Sequence, residues 1–151
     1  MSTTALPAVE KSVTVDAPVE RAFEVFTDGL ATWWPLGRHS IGKDQIDRMV
    51  FEHHAGGRVY EILKDGSVRE WADVLAYDRP SSFTLAWRPY EVVGEGPATE
   101  LEVRFVADRG QTRVELEHRG WERLGDEAAE SQQGYDTGWD FVLGQYVAAF
   151  G

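Results

Sequence analysis

The C-terminal segment constrains the fold more than any other part of the chain. Tyr135, Trp139, Val142, Leu143, Tyr146, Val147 and Phe150 recur at i, i+4, i+7, i+8, i+11, i+12 and i+15. On a helix of 3.6 residues per turn they form one broad apolar stripe. A stripe with so much aromatic bulk must be buried against something equally wide, and the preceding strands supply it. Leu101, Val103 and Phe105 alternate with Glu100, Glu102 and Arg104. Thr112, Val114, Leu116 and His118 alternate with Arg113, Glu115, Glu117 and Arg119. Period two with a charged outer row is the pattern of an antiparallel sheet with one wet face.

The rest of the chain fits the same plan. Val9, Val13 and Val15 alternate with polar residues, and Lys11 falls on their apolar parity, which an edge position or a bulge would explain. Asp16-Ala17-Pro18-Val19-Glu20 opens a short helix whose apolar face is Val19, Ala22, Phe23 and Phe26, and Asp28-Gly29 stops it. Leu30, Trp33 and Trp34 suggest a second helical turn before Pro35. From Ile46 strands and turns follow: Met49 and Phe51, a Gly56-Gly57 turn, Val59 to Leu63, the hairpin dipeptide Asp65-Gly66, Glu70 to Tyr77, then Phe83, Leu85 and Trp87. Gly120 to Gln133 reads as a polar loop, with room for one helical turn. The expected class is α+β: a curved antiparallel sheet of six to seven strands around a long C-terminal helix, with two short helices after the first strand. One domain is expected over 8–151, behind a disordered N-terminus at 1–7.

Composition excludes several functions. The 151 residues include six Trp, seven Phe and five Tyr, ample for a core, and no cysteine for a disulfide, a thiolate metal site or a Cys nucleophile. The formal net charge of −11 repels phosphate backbones, so no nucleic-acid partner is expected. No apolar run is long enough to span a bilayer and no secretory signal is visible, so a cytoplasmic protein is expected. Nucleophile-elbow, phosphate-loop and dinucleotide motifs are missing from the sequence. No cofactor is expected.

Several segments carry a family resemblance: VTVDAPVERAFEVFTD, TWWP, GGRVYE, EWADVLAYDRPSSFTLAW, ATELEVRF, TRVELEHRGWERLG and YDTGWDFVLGQYVAAF. Taken in order they resemble the SRPBCC superfamily, the START and birch-allergen-like helix-grip proteins. Within it they are similar to the bacterial branch named after the C-terminal domain of the activator of the heat-shock-protein-ninety ATPase. The resemblance runs from Val9 to Phe150 and implies the helix-grip fold. It leaves function open among lipid and hormone carriers, polyketide cyclases and chaperone-associated domains.

In such a fold the space between sheet and helix is the candidate site. Its expected wall is Trp33, Trp34, Met49, Phe51, Tyr60, Trp71, Phe83, Leu85, Trp87, Leu101, Val103, Leu116, His118, Tyr135, Trp139, Val142 and Leu143. Trp33, Trp34, Pro35 and His39 either form the mouth of that space or cap the core. His118 faces inward by parity and is either a ligand contact or proton donor, or a core histidine with its hydrogen bonds satisfied. Asp73 is either a solvated carboxylate, the favoured reading, or a buried acid/base group. His53 and His54, adjacent on a strand, point apart and do not make a metal site. Three functions follow: a module binding a small apolar or aromatic molecule, a cyclase or dehydratase using His118, or an interaction domain acting on a chaperone or as a homodimer.

Overall fold

The computed structural model describes residues 7–29, 33, 46–87, 99–123 and 128–150, without the side chains of residues 46, 69, 71, 128 and 131. Among the described residues, strands β1 (Val9–Val15), β2 (Ile46–Phe51), β3 (Arg58–Leu63), β4 (Val68–Asp78), β5 (Ser82–Trp87), β6 (Thr99–Asp108) and β7 (Gln111–Arg119) form one sheet. Helix α1 (Val19–Thr27) follows β1, and α2 (Ala128–Ala148) follows β7. The strand order is β1-β7-β6-β5-β4-β3-β2, with every neighbouring pair antiparallel. The chain therefore crosses from one edge of the sheet to the other through α1. It then returns strand by strand until β7 meets β1. The sheet curls into a half-barrel around the helical layer, a helix-grip arrangement. Of the second short helix expected, only Trp33 lies within the described residues.

Alternation sets the two faces. Leu101, Val103, Phe105, Thr112, Val114, Leu116 and His118 are all buried, as their parity requires, and the residues between them are half-buried or more exposed. On the outer face Glu102 and Glu117 sit directly opposite each other. Arg119 relieves that like-charge pair, contacting Glu102 at 3.0 Å, Glu117 at 2.5 Å and Glu100 at 3.1 Å.

Curvature comes from β2, β3 and β4. Their pairings shift register and leave Asp47, Trp71 and Leu75 without an opposite residue, whereas β5, β6, β7 and β1 pair without interruption. Each extra residue is a bulge that bends its strand. The bulge at Leu75 also interrupts the alternation of faces along β4. Ala72 and Val74 are buried and Leu75 is half exposed. Tyr77 then lies opposite Phe83 on the inner side.

Helix α2 buries Trp139, Val142, Leu143 and Tyr146, with Tyr135 and Phe150 partly buried against the core. Val147, expected on the stripe, is 37% exposed, because it lies about 100° around the helix from the buried Tyr146. Lys11 sits on an edge strand that carries no bulge. Its ammonium reaches Asp136 at 2.7 Å and Asp140 at 3.1 Å on α2. The charge on the apolar parity is thus explained by one helical turn of carboxylates beside it. No helix among the described residues is long and apolar enough to cross a membrane.

Candidate functional site

Aromatic residues gather at both ends of α2, in two chemically different clusters. At its C-terminal end the cluster is phenyl-rich and closed. Phe23 stacks edge-on with Phe105 (5.1 Å) and Tyr77 (5.4 Å), and Phe26 packs on Tyr146 (4.9 Å) and Trp33 (5.1 Å). The polar atoms here end on α1: the Tyr146 hydroxyl donates to the Ala22 carbonyl at 2.7 Å, and the Trp33 indole to the Val25 carbonyl at 2.8 Å. Burial pushes the Tyr146 hydroxyl pKa well up. Trp33 is 5% exposed and is a cap on the core at this position.

The N-terminal half of α2 meets a cluster of indoles around an imidazole. His118 comes near the end of β7, fully buried, with Trp121 at 4.2 Å, Tyr135 at 5.0 Å, Trp139 at 6.0 Å and Trp87 at 6.2 Å between ring centroids. Its hydrogen bonds fix its tautomer. The Trp139 indole N–H approaches Nδ1 at 3.0 Å, and an indole nitrogen can only donate. Nδ1 is therefore the acceptor and Nε2 carries the proton, donating to the Thr99 hydroxyl at 2.7 Å. That hydroxyl donates in turn to the Trp87 carbonyl at 3.4 Å. The Trp121 indole donates to the His118 carbonyl at 2.9 Å, and the Trp87 indole to the Tyr135 hydroxyl at 3.1 Å. Removal from water pulls the His118 pKa from 6.5 to about 3. The ring is neutral at physiological pH, and both nitrogens are engaged.

The structure brings Trp87, His118, Tyr135 and Trp139 into this cluster. Leu101 and Leu85 lie in the inner row beside His118, Leu116 and Val103 in the next row, and Val142 and Leu143 of α2 belong to the same buried core. Phe51 and Phe83 belong with the phenyl cluster, their rings 5.1 Å apart, and Met49 packs partly buried against the core near them. Tyr60 does not join either group, since it alternates with the buried Val59 and Glu61 and so takes the opposite face of β3. Trp71 lies in β4 with its side chain outside the described residues, and Trp34, Pro35 and His39 lie outside them altogether. Asp73 is half-buried on the face opposite Ala72 and Val74.

Two members of the cluster escaped the sequence reading. Trp121, fully buried, stands in a stretch whose polarity suggests a loop, and an isolated tryptophan just beyond a strand was the signal. Thr99 is recognisable only from register, two residues before Leu101 and diagonal to His118. His53 and His54 occupy a turn and not a strand. The first pairs with Asp28 at 2.7 Å, and the second bonds the Ala55 carbonyl at 3.1 Å. Among the described residues no three His, Asp or Glu side chains converge as metal ligands would.

With this geometry in hand, residues 16–150 match the family described as Activator of Hsp90 ATPase homolog 1-like protein, AHSA1. The chain belongs to the AHSA1-like family. It is a member of the SRPBCC superfamily. This AHSA1-like chain is similar to Txn09, an anthrahydroquino-γ-pyrone synthase, at 39% identity over 87% of this chain and 88% of that one, with a TM-score of 0.61. It is similar to CalC, a self-sacrificing resistance protein from Micromonospora echinospora, at 31% identity over 95% and 94% of the two chains, with a TM-score of 0.73. The Aha1 dimer from Colwellia psychrerythraea shares its fold, at 17% identity over 96% of each chain and a TM-score of 0.67. No curated protein sequence matches this AHSA1-like chain.

Proposed function

We propose that this protein binds a small apolar or aromatic molecule against the inner face of the sheet, beside the N-terminal half of α2. The observation that carries this reading is the indole cluster of Trp87, Trp121 and Trp139 around a neutral His118, with Tyr135 as its partly exposed member. Flat rings stack on such a surface for about 0.5–1.5 kcal/mol per pair beyond the gain from burial. Burying about 350 Å² of ligand at roughly 25 cal/mol per Å² contributes about 9 kcal/mol before association costs. Useful affinity therefore requires no ion pair. The similarity to Txn09, named for a fused-ring product, supports a polycyclic aromatic ligand. Cyclase or dehydratase chemistry at His118 is the weaker reading, because neither ring nitrogen is free to take up or deliver a proton.

Titration with a soluble anthraquinone, followed by tryptophan fluorescence, tests the proposal. Saturable quenching at one ligand per chain, weakened at least tenfold by Trp139→Ala in a protein that still melts cooperatively, is the expected result. If the quenching does not saturate, and native mass spectrometry of the purified protein shows the chain mass alone, the proposal fails. A wild-type protein that binds ligand and stimulates a chaperone ATPase only when ligand-free would instead favour the chaperone-directed reading.

A further inference from the structure

The indole surface that would take the ligand is closed. Trp121 and His118 are 0% exposed, Trp139 2% and Trp87 6%, so no flat molecule reaches them until part of their cover moves. The start of α2 is part of that cover. The Tyr135 ring centroid lies 5.0 Å from His118 and 5.4 Å from Trp121, and its hydroxyl accepts the Trp87 indole N–H at 3.1 Å. Yet among the described side chains of residues 129–138 none is buried, whereas Trp139, Val142, Leu143 and Tyr146 anchor the rest of the helix. Gly134-Tyr135-Asp136-Thr137-Gly138 is also a run of weak helix formers. A Cβ added at either glycine would meet open space, so packing does not demand glycine there. A stretch with little buried apolar surface and poor helix preference opens locally well before the whole fold does.

We propose that residues 128–138 of α2 are the gate of the ligand site, unwinding from the helix N-terminus as far as Gly138 and re-forming once a ligand lies on the indoles. The inference rests on the binding reading above and supplies its way in. Trp139 ends the unwinding, because its side chain is buried and its indole N–H is bonded to His118. Lifting Tyr135 uncovers one side of the His118 and Trp121 rings. The catch is Lys11, whose ammonium holds Asp136 at 2.7 Å on the moving side of Gly138 and Asp140 at 3.1 Å on the fixed side. The Gln132 side-chain amide, donating to the Pro7 carbonyl at 2.6 Å, ties down the segment nearer its start. Ligand enters only the open fraction of molecules. When opening and closing outpace encounter, a change that makes opening rarer lowers the association rate by the same factor.

Hydrogen exchange of the ligand-free protein, paired with stopped-flow binding of anthraquinone-2-sulfonate, tests the gate. Amides of residues 134–138 are expected to be less protected than those of residues 142–146 by about tenfold or more. Combining Gly134→Ala with Gly138→Ala should raise gate protection and lower the association rate alike, by about five- to thirtyfold. Asp136→Asn, which releases the catch, should move both the other way. Thermal melts confirm that each variant folds. Equal protection along the whole of α2 overturns the gate. So does an association rate that stays fixed in variants whose gate protection changes, because the ligand then enters elsewhere and the binding reading stands. A wild-type protein whose gate opens but which does not bind the probe overturns the binding reading, and the gate's role with it.

Discussion

Between Trp139 and Thr99 the imidazole of His118 accepts at Nδ1 and donates at Nε2, and the first of these bonds cannot survive protonation. A second ring proton would face the Trp139 N–H, donor against donor. Burial adds to this, lowering the folded-state pKa to about 3 from 6.5. In the unfolded chain the same group titrates at its ordinary value. Between those two values the unfolded state binds more protons than the native state, so stability rises with pH across the window. The contribution is complete above pH 6.5 and is lost as the pH falls towards 3, at about 1.4 kcal/mol per pH unit. Guanidinium unfolding at pH 7.5 and pH 5.5 should show the wild-type protein losing about 1 kcal/mol more than His118→Gln, which keeps an acceptor and a donor without the titration. Equal losses in the two proteins would mean that the histidine is hydrated in solution.

At the level of elements, α2 combines a well-buried stripe with a weakened backbone. Gly134, Gly138 and Gly144 lie within it, and a Cβ added at any of them would meet open space. A helical glycine costs about 0.5–1 kcal/mol relative to alanine. Gly134→Ala and Gly144→Ala, both at exposed positions, should therefore each raise stability by about that amount, measured as a shift in denaturation midpoint at unchanged m-value. The stripe itself was legible in the sequence, as were β6 and β7, because the Glu and Arg of their outer faces leave only one parity for the core. The bulged strands were not. A single inserted residue such as Leu75 leaves no trace in composition, yet it moves Tyr77 to the other face. In β3, Val59-Tyr60-Glu61-Ile62-Leu63 carries apolar residues on both parities. Preferring Tyr60 over Glu61 as an inward group followed polarity, whereas the register with β2 decided otherwise. The indole cluster was half legible: alternation pointed His118 and Trp87 inward, but Thr99 and Trp121 are brought to them by strand pairing and a turn.

For the whole molecule the net charge of −11 means that its 15 basic residues matter more than usual. Arg119 stands among Glu100, Glu102 and Glu117 on the outer face. Its removal would leave three carboxylates close together, two of them directly opposite across β6 and β7. Arg119→Ala is expected to cost about 1–2 kcal/mol at low salt, with much of the loss recovered in 0.5 M sodium chloride as screening shortens the reach of the repulsion. A loss independent of salt would assign the effect to packing of the arginine stem. Lys11 has a wider consequence. It lies on the outermost strand with its ammonium turned under α2 and held there by Asp136 and Asp140. An incoming strand seeking to extend the sheet at that border would meet a partly buried cation already committed to its own helix. That charge discourages ribbon-like growth at this border of the sheet.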